Sequence, residues 1–134
     1  MSYYINPIEE DHCLFLSFEA EVPAVEAESV RQGVKALLGD RRWNRIVLDA
    51  TQMQGYPTTW ELFAFSESLC WDLPQDAWIA LVARPDQARH AQFLENIARS
   101  RGVMLTCFTD EGDASNWVKM APAALNRGNL QFIS

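Results

Sequence analysis

Apolar residues along the chain follow two different periods. Short runs dense in apolar side chains separate longer stretches in which apolar residues recur every three or four positions. Tyr3-Tyr4-Ile5 and the run from Cys13 to Phe18 are rich in strand formers. They flank a polar turn region made of Asn6-Pro7 and Glu9-Glu10-Asp11, which predicts an opening hairpin. From Pro23 to Leu38 the positions Val30, Val34, Leu37 and Leu38 keep helical spacing, and Gly39 stands where a helix would stop. Arg45 to Ala50, Trp78 to Ala83 and Val103 to Phe108 are continuous apolar runs, as expected of strands covered on both faces of a parallel sheet. Between the first two runs, Thr59 to Leu73 places Leu62, Phe65, Leu69 and Leu73 on one helical face, closed by Pro74. A further helix is predicted over Gln87 to Arg101, with Asp86 as N-cap, Ala91, Leu94 and Ala98 facing inward and Gly102 as the stop. A shorter one covers Asp113 to Met120 and ends before Pro122.

The predicted order is β-β-α-β-α-β-α-β-α. Strands alternating with helices long enough for crossovers imply an α/β fold: a mixed, mostly parallel sheet of five strands whose opening hairpin supplies the antiparallel edge. One domain is expected over residues 1–121, followed by a tail over 122–134. In the tail Leu130, Phe132 and Ile133 show no clear period.

Composition narrows the role. A chain of 134 residues with 49% hydrophobic and 22% charged side chains suits one globular core. Eleven Lys plus Arg against eighteen Asp plus Glu give a formal charge of −7, the wrong sign for nucleic acid or anionic lipid. The amino-terminal stretch has neither the basic nor the apolar segment of a secretory signal, and no run reaches the length of a membrane span, so a cytoplasmic location is expected. Cys13, Cys70 and Cys107 are odd in number and set in apolar contexts, which suits buried free thiols rather than a disulfide framework.

Chemistry-bearing motifs are few. Glu9, Glu10, Asp11, His12 and Cys13 are neighbours, but adjacent residues of an extended chain point to opposite faces and no second ligand pair follows; a solvated turn is the expectation, and no metal or other cofactor. His90 has no carboxylate or second histidine four residues on, so a surface histidine is expected. No glycine-rich phosphate loop, nucleophile elbow or C-x-x-C is present, and no catalytic residue is assigned. Asp49, Thr51, Arg84, Asp86, Asp110 and Glu111 fall at or just past the carboxyl ends of the three predicted parallel strands, where open α/β sheets bind ligands and where helix caps also collect. Thr58 and Glu61 stand at capping-box spacing, with Pro57 and Leu62 at the staple positions. A phosphate on Thr59 would lie near the positive end of that helix, whereas one on Thr58 would break the cap. Of the five tryptophans, Trp78 belongs to a strand and is expected in the core. Trp60 and Trp71 sit at the two ends of the 59–73 helix and, with Tyr56 and Phe63, form either core packing or an interaction surface.

The order of elements, the phrase from Ile46 to Glu61 (IVLDATQMQGYPTTWE) and the closing Phe108-Thr109-Asp110-Glu111 before a Trp-bearing helix resemble the STAS domain of anti-sigma factor antagonists. The match over about residues 3 to 121 is closer to the SpoIIAA-like group of small bacterial proteins placed with STAS/SEC14-type domains. In the phosphorylatable members the second helix begins Asp-Ser-Ser-Gly and the second serine is phosphorylated by the partner kinase. The positions here are Pro57-Thr58-Thr59-Trp60, so the resemblance implies Thr59, or Thr58, as a phosphoacceptor. Trp60 in place of glycine puts a large ring where that partner's backbone would approach. Three functional readings stay open: a non-enzymatic module that binds a protein partner or itself as a homodimer, a phosphorylation-switched antagonist, and a SEC14-like carrier of a small apolar ligand or lipid.

Overall fold

Ile46, Val47 and Leu48 occupy the middle of the sheet, and the first two are only 2% exposed each, so both faces of their strand are covered. A computed structural model describes residues 3–19, 24–53 and 76–122. Within these residues five strands form one sheet: β1 (Tyr3–Ile8), β2 (Cys13–Glu19), β3 (Arg45–Gln52), β4 (Trp78–Val82) and β5 (Met104–Phe108). They lie side by side in chain order, β1 antiparallel to β2 and the other four mutually parallel. Three helices accompany them: α1 (Ala24–Arg41), α2 (Ala88–Ser100) and α3 (Glu111–Lys119).

Strand alternation divides the apolar side chains between the two faces. The register aligns Leu14, Ile46, Ile79 and Leu105 in one row and Leu16, Leu48, Leu81 and Cys107 in the next. Val34 and Leu38 of α1 and Ala91, Leu94 and Ala98 of α2 close over these rows in the main core. Among the described residues both crossover helices, α1 and α2, fall on this face, as same-handed crossovers between strands laid down in one direction require. Val47, Ala80 and Val82 face the other way, against Ala114 and Val118 of α3. The small side chains of Ala80 and Ala114 let that helix approach closely. Each fully buried Leu or Ile of the main core contributes about 1.5–3 kcal/mol.

Three boundaries differ from the sequence expectation. Asn6-Pro7 lies inside β1; an edge strand tolerates the missing N–H of proline, and the turn is the 3-10 segment Glu9–Asp11 closed by His12 in the left-handed region (φ 51°). Gly39 does not stop α1. The helix runs on to Arg41, and Arg42 takes the left-handed conformation (φ 59°), its N–H donating to the Leu38 carbonyl at 2.7 Å. The extra turn brings Arg41 within 3.5 Å of Glu9 and 5.4 Å of the centre of the Trp43 ring, which His12 stacks at 5.6 Å. Finally, α3 begins at Glu111 rather than Asp113, because the Asp110 side chain caps it by accepting from the Asp113 N–H at 3.0 Å. Gly102 (φ 86°) ends α2 as predicted.

The carboxyl end of α3 is strapped to the start of β3. The Asn44 amide, buried, donates to the carbonyls of Asp76 (3.1 Å) and Pro122 (3.0 Å), and Arg45 donates to those of Asp11 and Ala121 at 2.9 Å each. The predicted helix over 59–73 and the tail from 123 onward lie outside the described residues.

Candidate functional site at the exit of β3

Pairing between β3 and β4 ends at Asp49 and Val82, yet β3 continues to Gln52. As β3 leaves the ladder the chain turns, the Met53 N–H donating to the Ala50 carbonyl at 3.1 Å, and the carbonyls of this exit take further donors, since a buried backbone acceptor left empty costs about 1–3 kcal/mol. Two side chains from the turn that joins β4 to α2 supply them. The Gln87 amide donates to the Ala50 carbonyl at 2.9 Å, and the Arg84 guanidinium donates to the carbonyls of Thr51 and Met53, the latter at 3.0 Å. The Gln87 side-chain oxygen accepts from the Arg84 N–H at 2.8 Å, the return half of a capping box around Pro85. Asp86 does not cap α2, contrary to expectation. Its carboxylate pairs with the Arg84 guanidinium at 3.0 Å, and Gln87 takes the N-cap position of α2 without a side-chain capping bond to that helix. On the α3 side of the sheet, Asp49 accepts from both the N–H (2.9 Å) and the hydroxyl (2.6 Å) of Thr51, an Asx-type turn at the strand end.

Thus Asp49, Thr51, Arg84 and Asp86 form one connected cluster, while Asp110 stands apart as the α3 cap. Gln87, 7% exposed, is the member that sequence reasoning missed. Its signal was the Gln three residues after Arg84 with proline between, a capping-box spacing that the neighbouring Asp86 obscured. The sequence-assigned phosphoacceptors Thr58 and Thr59 and the surface residues Tyr56, Trp60, Phe63 and Trp71 lie outside the described residues; the chain is described up to Met53, just before them.

Beside the cluster an open depression of about 340 Å³ lies between α2, β5 and the start of α3, lined among others by Arg84, Gln92, Cys107 and Asp113. Its thiol is poorly suited to nucleophilic work. Burial, with the Glu95 carboxylate beside it, pushes the Cys107 thiol up to about 12, and burial with the charge of Asp11 pushes Cys13 up to about 11. Both are free cysteines. Trp78, expected in the core, is half-buried and stacks on Trp117 at 4.7 Å between ring centres. His90, expected at the surface, is half-buried on α2. Among the described residues no three His, Cys, Asp or Glu side chains gather as a metal-ligand set, and no helix is long and apolar enough to cross a membrane.

No family model and no curated protein matches the sequence. Solved structures do match. An anti-sigma factor antagonist from Mycobacterium paratuberculosis shares 18% identity over 88% of this chain and 95% of its own, with a TM-score of 0.64. An uncharacterised protein from Shewanella loihica PV-4 with a SpoIIAA-like fold shares 13% identity over 87% of this chain and 91% of its own, with a TM-score of 0.61. The five-stranded, mostly parallel sheet, its covering helices and these two likenesses together give the chain the SpoIIAA-like, STAS-type fold.

Proposed function

We propose that the chain is a non-enzymatic, regulatory interaction module of the bacterial cytoplasm, built as one STAS-like domain over residues 1–121 with a tail over 122–134. It engages a protein partner, or a second copy of itself, through the loop that follows β3 and the helix that the sequence starts at Thr58, with Tyr56, Trp60, Phe63 and Trp71 as the contact surface. The observation that carries this reading is the anchoring of the β3 exit by Arg84 and Gln87, which holds the base of that loop to the body of the sheet. The cluster's polar groups are spent on holding backbone and one another rather than aimed at a reacting centre, and the Cys13 and Cys107 thiols stay protonated at neutral pH, which supports a binding role over a catalytic one.

A second reading is favoured by the likeness to an anti-sigma factor antagonist: phosphorylation at Thr59, or at Thr58, switches partner binding off. The carrier reading has less support, because among the described residues Val34 and Leu38 of α1 and Ala91, Leu94 and Ala98 of α2 pack directly against the sheet.

The test is binding of the purified partner. Tagged chain is isolated from its own cells, the stoichiometric partner is purified, and the affinity of the pair is measured by calorimetry for wild type and Trp60→Ala. The expected result is a loss of roughly thirtyfold, ~2 kcal/mol, as for an aromatic anchor at the centre of an interface. An unchanged affinity with the fold intact removes the proposed surface.

A further inference from the structure

We infer that an apolar shelf beside α3, along β5, docks a second copy of this chain about a two-fold axis. The inference goes beyond the interaction reading above and uses only described residues. Three large hydrophobic side chains are exposed among those residues, and two of them, Met104 (38%) and Met120 (67%), flank this shelf. Met104 pairs in register with Trp78. Strand alternation puts Met104, Thr106 and Phe108 of β5 on the same face as Trp78, Ala80 and Val82 of β4, the face that α3 covers.

Helical spacing sorts the side chains of α3. Ala114 and Val118 point into the core, and Lys119 lies 3.7 Å from Asp11 on the side of the β1–β2 turn. Asp113, Trp117 and Met120 therefore share the opposite flank, which overlooks β5. Trp117 fills the angle between helix and sheet, its ring 4.7 Å from that of Trp78 and 5.7 Å from that of Phe108. All three aromatic side chains are only half-buried. Rigid rings in the middle with adaptable methionines at one end have the composition of an interface core.

Charge selects the occupant. Arg99 comes over the edge of β5 to the Thr106 hydroxyl at 2.5 Å, and Arg101 is exposed three residues before Met104, so the end of the shelf where β5 starts is basic. Asp110 and Asp113, both exposed, stand past Phe108 and make the other end acidic. A two-fold axis through the middle of the shelf turns the basic end of each copy onto the acidic end of the other. The surface is thus complementary to itself, although the chain carries a formal charge of −7. The contact is face to face, because Arg99 and Glu95 occupy the Leu105 carbonyl and the Cys107 N–H at the edge of β5. A shelf one strand and one helix flank wide is small for an interface, so a dimer with a roughly micromolar Kd is expected.

The experiment is sedimentation velocity of the full chain at concentrations on either side of that value. Wild type is expected to pass from monomer to dimer, and salt to weaken the dimer. Met104→Thr combined with Met120→Ser is expected to raise the Kd about tenfold or more. Arg101→Glu and Asp113→Arg are each expected to weaken self-association, and an equimolar mixture of the two to dimerise as wild type does, since both pairs across the axis then join opposite charges. All four altered side chains are exposed, and circular dichroism checks that each variant is folded. A wild-type chain that stays monomeric, a dimer indifferent to the methionine pair, or a mixture no tighter than its components overturns the inference. The interaction reading is tested apart: Trp60→Ala is expected to leave this dimer unchanged, and a dimer lost with Trp60→Ala but kept with the methionine pair moves self-association to the other surface.

Discussion

Cys13 offers a quantitative check on the packing of the smaller core. Its side chain is 3% exposed, lies on the α3 face with Val47 and Ala80, and has Asp11 near the same end of the strand. Burial first and the Asp11 charge second raise its pKa from the ordinary value of 9.0 to about 11. A raised folded-state pKa contributes stability that is fully present below pH 9 and lost as pH rises toward 11, because the unfolded chain releases its proton in that window while the native chain keeps it. The slope is about 1.4 kcal/mol per pH unit, or ~3 kcal/mol across the window and about 2 kcal/mol by roughly pH 10.5. Other groups titrate there too, so the assay compares urea unfolding of wild type and Cys13→Ala at about pH 8 and 10.5. Loss of the sulfur costs the variant a pH-independent amount of about 1–2 kcal/mol. The wild-type advantage is expected to fall by about 2 kcal/mol between the two pH values, so that it vanishes or changes sign at the higher one. A gap that stays constant would mean that the thiolate meets no desolvation, and the description of this face as closed would be wrong.

Two further perturbations probe the elements around the site. Removing the α3 cap by Asp110→Ala should cost about 1 kcal/mol in urea unfolding, with Asp110→Asn recovering most of it; no loss would contradict the bond to the Asp113 N–H. At the far edge of the sheet, Arg99 donates to the Leu105 carbonyl and the Thr106 hydroxyl while Glu95 accepts from the Cys107 N–H, so α2 side chains cover backbone groups that β5 would present to another strand. Glu95→Ala combined with Arg99→Ala should therefore give concentration-dependent association in sedimentation velocity, and a monodisperse variant would refute that protective role.

The sheet was readable in the sequence because its central strands are covered on both faces. Ile46-Val47-Leu48 and the run from Trp78 have no polar alternation to confuse with a surface strand, and the Ala91, Leu94 and Ala98 face of α2 keeps its period without interruption. The boundaries failed where a residue has two uses. Gly39 is a common helix terminator, but α1 gains a turn that docks Arg41 against Glu9 and Trp43, and Arg42 accepts the left-handed conformation instead. Proline usually ends a strand, yet Pro7 is tolerated because β1 has a neighbour on one side only among the described residues. Around the site, Asp49, Thr51 and Arg84 were identifiable from their places at strand ends. Gln87 was not: its tie to Arg84 has a local capping-box spacing that Asp86 obscured, and its bond to the Ala50 carbonyl depends on where β3 and β4 separate, which no local pattern encodes.

The central claim, a module that works by holding another protein chain, is tested most directly by native and denaturing mass spectrometry of the protein isolated from its own cells. One sample reports assembly, bound ligand and covalent phosphate together. The account predicts a defined complex with a protein partner or a second copy, dissociating to a chain whose only modification, if any, is a phosphoryl increment mapped to Thr58 or Thr59. A monomer that carries a small molecule as non-covalent extra mass, with no protein bound, would contradict it.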